Sequence, residues 1–217
     1  GQGEPFENFD NVAKALEIIN SKIGMELGAR RITVSTCGIP QGIVRFGKIP
    51  EQYTLALSLH AAKQDVRDRI MPGCKNIPIN RIRKSLEEYY DEAHRRISIE
   101  YLLMKGINDS REDIKALEDF CSGLHVHINL IMLNKVPNSP FVPVSKEKAR
   151  VIEQELKQFG IETTIRNSRG SDIDGACGQL KSSVIHLDQR ALSPTSCALR
   201  RPSYVTEAND VTRSARS

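Results

Sequence analysis

The chain has 217 residues, of which 39% are hydrophobic and 27% charged, and this balance is ordinary for a globular protein large enough to bury one core. No apolar run approaches the roughly 20 residues that a bilayer-crossing helix needs, and the start resembles no secretion signal. We therefore expect no membrane partner. The net charge of +4 allows a polyanionic partner without indicating one.

The cysteines exclude a disulfide-stapled fold. There are five of them, an odd and scattered number, and no two form a CxxC pair. This usage is typical of a reducing compartment, so we expect a cytoplasmic protein. The five are Cys37, Cys74, Cys121, Cys177 and Cys197.

The first half of the chain predicts two helices and two strands. A helix is expected after Asp10 as its N-cap, with Val12, Leu16, Ile19 and Ile23 on one face and Gly24 closing it. β-Branched and apolar runs then predict strands at 31–36 and 53–60, the second apolar on both faces. A second helix is expected from Asn80 to Ala93.

The second half continues the alternation of strand and helix. Strands are predicted at 96–103, 126–131 and 162–166. Ser110 and Asp113 resemble a capping box at the start of one intervening helix. The other carries Ala149, Ile152, Leu156 and Phe159 and stops at Gly160. Alternation of this kind predicts an α/β fold with a parallel sheet, either a barrel or a doubly wound sheet.

In both architectures the residues that carry function lie at the carboxyl ends of the strands. Those ends are polar here, and we expect them to converge on one mouth. They comprise Ser35-Thr36, Ser58-Leu59-His60, Glu100-Tyr101, Asn134 and the loop from Asp172 to Cys177.

Several single motifs have ordinary structural interpretations. His125 and His127 alternate along a strand and could bind a metal, but no third ligand stands at a suitable spacing, so satisfied strand residues are favoured. The basic pairs and runs at 30–31, 81–84 and 95–96 could contact phosphates, although such pairs are usually solvated faces. Cys177 lies between small residues and glycines, which alone is typical of an inert cysteine.

Together, and in order, eight stretches are far more specific than any one of them. They closely resemble the radical S-adenosylmethionine RNA methyltransferases that methylate C2 of adenine in 23S rRNA and in certain tRNAs. The stretches are Gly1-Gln2-Gly3-Glu4-Pro5 with Asn8, residues 31–38, Leu57-Ser58-Leu59-His60-Ala61, Met71-Pro72, Glu100-Tyr101, Gly106-Ile107-Asn108-Asp109-Ser110, residues 129–131 with Asn134, and residues 172–180.

The resemblance implies a fold and a set of site residues. The fold is a partial (β/α)6 barrel of the radical S-adenosylmethionine type over residues 1–181, followed by a disordered tail at 182–217. Gly3 and Glu4 would hold the methionine part of S-adenosylmethionine, and Cys177 would become S-methylated during turnover. The rest of the ligand's site would be lined by Ser35, Ser58, Leu59, His60 and Asn134.

The family's chemistry explains why a cysteine is needed. C2 of adenine is electron-poor and has no lone pair with which to attack a sulfonium methyl group. A thiolate takes the methyl group first, by displacement. A second S-adenosylmethionine is then cleaved at a [4Fe–4S] cluster, and the resulting radical takes hydrogen from the S-methyl group, whose carbon adds to C2. The resemblance thus implies two cofactors, S-adenosylmethionine and the cluster, and 23S rRNA, tRNA and an electron donor as partners of a monomer.

One departure from the family is large. The family binds its cluster through CxxxCxxC, and no such motif occurs in this sequence. The family's resolving cysteine, its glutamate base and its N-terminal RNA-binding domain have no counterpart either. The sequence also begins without Met, so we expect the C-terminal portion of such an enzyme, without the first barrel strands and the cluster loop, and inactive alone.

Three alternatives remain open. A relative within the family methylates C8 of the same rRNA adenosine and confers antibiotic resistance, and the sequence does not separate the two products. A non-catalytic remnant would bind S-adenosylmethionine or RNA without turnover. A purely structural α/β domain would tolerate Cys177→Ala without loss of any ligand or activity.

Overall fold

A computed structural model of the chain describes residues 3–134 and 140–166. In this part of the chain five strands form one parallel sheet, and helices follow or separate the strands. The strands are β1 (Thr33–Thr36), β2 (Thr54–Ser58), β3 (Ile97–Leu103), β4 (Val126–Met132) and β5 (Glu162–Arg166). The helices are α1 (Phe9–Asn20), α2 (Pro40–Gly47), α3 (Gln64–Ile70), α4 (Ile79–Ala93), α5 (Arg111–Cys121) and α6 (Lys146–Gln158).

The order of the strands across the sheet is their order along the chain, and each neighbouring pair is parallel. A doubly wound sheet reverses its strand order at a switch point, whereas a barrel continues in one direction. The described strands show no reversal. The predicted α/β class with a parallel sheet is therefore confirmed, and the winding is that of part of a barrel.

The two faces of the sheet differ in polarity. Along β3 every second side chain is buried, and Ile97, Ile99, Tyr101 and Leu103 are all 0% exposed. They belong to one cluster with buried helix residues such as Ile82 of α4. The intervening side chains of β3 and β4 are half-buried and mostly polar. The core therefore lies between the sheet and its helices, and the opposite face is a polar surface.

The first helix differs from its prediction at both ends. Asp10 lies in the first turn and is not the N-cap, because α1 already begins at Phe9. The helix ends at Asn20, since Ser21 is extended (ψ 150°) and its hydroxyl donates to the carbonyl of Ile18. Ile23, predicted on the helix face, lies beyond the end and is 100% exposed.

Two short helices were not predicted. α2 has eight residues and α3 seven, which is too short for an apolar period to stand out. The one sequence signal for α2 is Pro40 at its first position. Elsewhere the capping box of Ser110 and Asp113 is confirmed, while Phe159 follows the end of α6 and is 58% exposed instead of buried.

The described residues all fall within one compact unit. The predicted boundary at residue 181 and the predicted tail at 182–217 lie outside the described residues. Of the helices that the structure describes, none combines the length and the apolar character needed to cross a bilayer.

Candidate functional site at the carboxyl ends of the strands

Glu4 ties the start of the chain to the end of β1. Its Oε1 accepts hydrogen bonds from the backbone N–H of Phe6 (3.1 Å) and from the hydroxyl of Thr36 (2.7 Å), and its Oε2 accepts from the backbone N–H of Cys37 (2.6 Å). A carboxylate has about four acceptor sites, so Oε2 can accept one more donor. Glu4 is thus oriented by the fold and still able to accept from an ammonium group.

Gly3 precedes this carboxylate in a left-handed conformation (φ +115°) that side chains disfavour. A Cβ placed on Gly3 would meet no heavy atom within 4 Å, so the backbone here borders open space. A ligand can therefore approach the main chain beside Glu4.

Ser35 and Ser58 come together on neighbouring strands. Ser35 pairs in register with Ala56, and the hydroxyl oxygens of the two serines are 3.3 Å apart. Both side chains are on the polar face, since Val34 and Leu57 beside them are buried. The two serines were predicted to lie close together at the mouth of the sheet, and in the structure they do.

His60 is held in a strained conformation just after β2. Its φ of +57° lies in the left-handed region, which is rare for a non-glycine residue. The backbone N–H groups of Leu59 and His60 both donate to the carbonyl of Glu100 (3.1 and 3.2 Å). The Nδ1 atom of His60 accepts from the backbone N–H of Leu102 (3.1 Å). The turn is therefore fastened to β3.

The surroundings of His60 determine the charge of its imidazole. Burial, with a smaller contribution from the nearby Arg67, lowers the pKa of His60 from 6.5 to about 4. The ring is therefore neutral at pH 7. Because Nδ1 is an acceptor, the proton is on Nε2, which makes His60 a hydrogen-bond donor toward its remaining side.

Asn108 is a positioning residue that the sequence reasoning missed. It is 0% exposed, and its amide nitrogen donates to the carbonyls of His60 and Leu102 (both 2.7 Å). Its amide oxygen accepts from the N–H of Met104 (2.8 Å). The Gly106–Ser110 stretch thus carries an asparagine that locks the His60 turn onto the end of β3. The available signal was an asparagine close behind a strand, in a short stretch that begins with Gly106.

Glu100 and Tyr101 were predicted at a strand end, but β3 continues to Leu103, so they lie inside the strand. Tyr101 points into the core, and its hydroxyl donates to the carbonyl of Asn108 (2.9 Å). Glu100 lies on the polar face, in one row across the sheet with Ser58, Asn129 and Thr164.

Three side chains of this row, Glu100, Asn129 and Thr164, are linked by hydrogen bonds. Glu100 Oε1 accepts from the hydroxyl of Ser98 (2.9 Å) and from the amide of Asn129 (2.8 Å). Thr164 donates to the amide oxygen of Asn129 (3.1 Å). Glu100 Oε2, in contrast, is screened from solvent and has no partner among the described residues. Glu100 Oε2 is therefore an unsatisfied acceptor within this row.

Arg67 is a second residue that the sequence reasoning missed. It is 1% exposed, and its guanidinium donates to the carbonyl of Cys37. Its Nε and Nη1 atoms have no partner in the described part of the chain. Burial lowers the pKa of Arg67. A buried positive charge beside His60 adds to the reasons why the imidazole remains neutral.

Cys37 and Cys121 have the character of inert thiols. Burial, with Cys74 and Glu4 close by, raises the pKa of Cys37, and burial raises the pKa of Cys121 to about 12. A nucleophilic thiol needs a lowered pKa. The candidate methyl carrier, Cys177, and the stretch 172–180 around it lie outside the described residues. Asn134 is described and half-buried, two residues beyond the end of β4.

Residues 3–134 and 140–166 contain no group of three or more His, Cys, Asp or Glu side chains that could hold a metal ion. His127 contacts the hydroxyl of Thr164 (3.1 Å), whereas His125 precedes β4 and packs edge-on to the ring of Tyr90. The described residues therefore do not fit an iron–sulfur cluster. They do fit the methionine part of S-adenosylmethionine, because an oriented carboxylate at Glu4 and open backbone at Gly3 lie at one end of the sheet.

Comparison with known proteins supports this interpretation. No protein-family model matches the chain. Among curated proteins, a probable dual-specificity RNA methyltransferase RlmN of Clostridium perfringens (strain SM101) is 41% identical over 185 residues, which cover 85% of this chain and 53% of that protein. A probable RlmN of Staphylococcus aureus (strain JH9) is 41% identical over 190 residues, covering 88% of this chain and 52% of that protein.

Solved structures agree. A radical SAM methyltransferase from Sphaerobacter thermophilus superposes with a TM-score of 0.78 at 42% identity, covering 82% of this chain and 52% of that one. A domain of a pyruvate-formate lyase-activating enzyme from Bacteroides vulgatus has a TM-score of 0.54 at 18% identity, covering 77% of this chain and 96% of that one, and shows the fold alone. Over the residues that match, the chain is similar to the proteins named RlmN and to the radical SAM methyltransferase of known structure, and it spans about half of their length.

Proposed function

We propose that the chain is the C-terminal portion of an S-adenosylmethionine-dependent RNA methyltransferase that methylates C2 of adenine in 23S rRNA and tRNA. The observation that carries the proposal is the arrangement of Glu4, Ser35, Ser58 and His60 around one end of the sheet. The homologues named RlmN provide the reaction class.

Each described site residue has a physical role in this proposal. Glu4, fixed by Thr36 and the N–H of Cys37, accepts from the ammonium group of the methionine part. Open backbone at Gly3 lets that part lie against the main chain. The neutral His60, fastened to β3, would contact another part of the ligand. We assign the remaining contacts to Ser35, Ser58, Leu59 and Asn134.

Cys177 carries the methyl group. Its thiolate attacks the methyl carbon of S-adenosylmethionine, an S–CH3 bond forms, the sulfonium–methyl bond breaks, and S-adenosylhomocysteine leaves. The residues next to Cys177 in the sequence are the small Ala176 and Gly178, which suits a thiol that meets a large electrophile and then a base. Delivery of this carbon to adenine C2 is radical chemistry that depends on an iron–sulfur cluster and an electron donor, and the described residues provide no ligand set for that cluster.

The partners and setting follow from the same proposal. RNA is the substrate, 23S rRNA and tRNA are the two classes, and the protein acts as a cytoplasmic monomer. The net charge of +4 is compatible with a polyanionic substrate.

Nucleoside mass spectrometry tests the proposal. The full-length gene, of which this chain is by our proposal the C-terminal portion, is expressed in a bacterial strain without adenine-C2 methylation, and 23S rRNA and tRNA are digested to nucleosides. We expect 2-methyladenosine with the parent gene and none with Cys177→Ala, while Cys121→Ala, a buried thiol on α5, leaves the yield unchanged.

Three results would contradict parts of the proposal. The appearance of 8-methyladenosine would assign the chain to the C8-methylating relatives. The absence of any methylated adenosine, with binding of S-adenosylmethionine retained, would indicate a non-catalytic remnant. An undiminished yield from Cys177→Ala would remove the cysteine from the mechanism.

A further inference from the structure

Glu100 is the residue of the polar face whose bonding is incomplete. It lies in the middle of β3, and its register partners are Ser58 on β2 and Asn129 on β4. One carboxylate oxygen accepts two hydrogen bonds, from Ser98 and Asn129, and the other has no partner among the described residues and no contact with solvent. Asn129 is itself oriented by Thr164. Within the described part of the chain the carboxylate is therefore held through Oε1, and Oε2 is unsatisfied.

An unsatisfied buried carboxylate oxygen is costly, and native structures rarely keep one without a reason. No described lysine or arginine forms an ion pair with Glu100. Glu100 as a whole is only half-buried, although its Oε2 is screened from solvent. Binding of a ligand at Oε2 therefore requires a rotation of the carboxylate, and the broad terminal torsion of glutamate permits one. These features together indicate an acceptor for a ligand's donor groups.

The order of the strands indicates which part of the ligand reaches this acceptor. Glu4 is bonded to the end of β1, Ser58 ends β2, and Glu100 lies on β3. Neighbouring strands are about 4.8 Å apart, so a ligand anchored at Glu4 by its ammonium group reaches β3 about 10 Å further on. In S-adenosylmethionine the ribose follows the amino acid and the sulfonium.

We propose that Glu100 accepts hydrogen bonds from the ribose hydroxyls of S-adenosylmethionine, an inference that rests on the proposed function of this site. A vicinal diol offers two O–H donors to a carboxylate, and bonds to an ionised acceptor are about twice as strong as neutral ones. Glu100 is then a binding residue that selects ribonucleosides. Ser98, Asn129 and Thr164 are positioning residues that act through it.

The test measures binding and does not require turnover. Affinities of the full 217-residue chain for S-adenosylhomocysteine and for its 2′,3′-dideoxy analogue are measured by titration calorimetry, for the parent and for Glu100→Gln. Glutamine keeps the shape and the acceptor for Ser98 and Asn129 but removes the charge. Glu162→Gln is the matched control, since Glu162 is an exposed glutamate on β5 that pairs with Arg96 and has no part in the site.

We expect Glu100→Gln to weaken binding of S-adenosylhomocysteine by about tenfold and to leave binding of the dideoxy analogue unchanged. The parent should prefer the ribonucleoside to the dideoxy analogue by at least the same factor. Unchanged binding of the analogue also shows that the variant is folded. Glu162→Gln should bind both ligands as the parent does.

The possible outcomes distinguish a failure of this inference from a failure of the proposed function. Equal affinity of parent and Glu100→Gln for S-adenosylhomocysteine would overturn the role of Glu100 and leave the site intact. An equal loss for both ligands would also overturn it, because the effect would not depend on the hydroxyls. Failure of the parent to bind either ligand would contradict the proposed function, and the inference would fall with it.

Discussion

The two faces of strand β3 show how one stretch of chain serves two purposes. The odd-numbered side chains from Ile97 to Leu103 are 0% exposed and pack against the helices. On the other face, Ser98 and Glu100 are half-buried and joined by a hydrogen bond of 2.9 Å. Apolar burial on one face thus supports a polar and incompletely satisfied surface on the other.

The difference indicates a division of labour. Burial of apolar side chains provides the free energy of folding. Polar groups on the opposite face contribute little net stability, but they keep fixed positions because rigid strands carry them. Substitutions on the helix-facing side should therefore change stability, and those on the polar side should change ligand affinity.

Ile99→Ala should give the largest effect. Ile99 is 0% exposed, and its truncation leaves a cavity in a packed core, so the free energy of unfolding should fall by about 3 kcal/mol. Chemical denaturation measures the loss, and Ile99→Val, which removes one methyl group, should cost about 1 kcal/mol. Affinity for S-adenosylhomocysteine of the folded variant should match the parent. A tenfold weaker affinity at full folding would contradict the division between the two faces.

Acid should destabilise the protein through His60. Its folded pKa of about 4 lies below the unfolded value of 6.5, so the unfolded state binds more protons between these values. The stability that depends on neutral His60 is complete above pH 6.5 and is lost as the pH falls toward 4, by about 3 kcal/mol at the limit. Denaturation midpoints from pH 7.5 to pH 4 measure it.

His60→Asn is the control for that experiment. Asparagine tolerates the left-handed φ of this position, and its side-chain oxygen can accept from the N–H of Leu102 in place of Nδ1. Its stability should fall less steeply between pH 6.5 and 4 than that of the parent. Parallel pH profiles of the two proteins would show that His60 titrates normally.

Thr36→Val should give the smallest effect and sharpens the comparison. Thr36 occupies a buried position of β1, at 1% exposure, but its hydroxyl donates to Glu4 and accepts from the N–H of Gly38 (3.0 Å). Valine keeps the volume and removes both bonds, so we expect a loss of about 1 kcal/mol in stability and about a fivefold weaker binding of S-adenosylhomocysteine. Thr36→Ser should restore binding. Unchanged binding by Thr36→Val would mean that Glu4 needs no orientation from β1.

Most of the fold could be predicted because strands and long helices leave periodic patterns. The strand 162–166 is observed at its predicted bounds, and α4 begins one residue earlier than expected. The failures are local. Ile23 continues the apolar period of α1, although the helix has already ended. The helix ends where the hydroxyl of Ser21 bonds to the carbonyl of Ile18, and a pattern of apolar residues does not reveal such a bond.

The site could be predicted in part. Ser35, Ser58 and His60 were expected at the mouth of the sheet, and the structure brings them there. Their assignment to S-adenosylmethionine stays a prediction, as does the role of Cys177. Asn108 and Arg67 were missed as site residues, because their importance lies in partners that are 30 to 48 positions distant in sequence.

The sequence by itself determined the α/β class, the order of the elements and the relationship to the methyltransferases, since these depend on local period and on motifs read in order. Only the tertiary structure decided that the sheet winds in one direction, that His60 is neutral and strained, and that one oxygen of Glu100 lacks a partner within the described part of the chain. The reason is physical. The charge of His60 and most of the hydrogen bonds that hold it and Glu100 depend on groups from different strands and loops, which a local pattern in the sequence does not bring together.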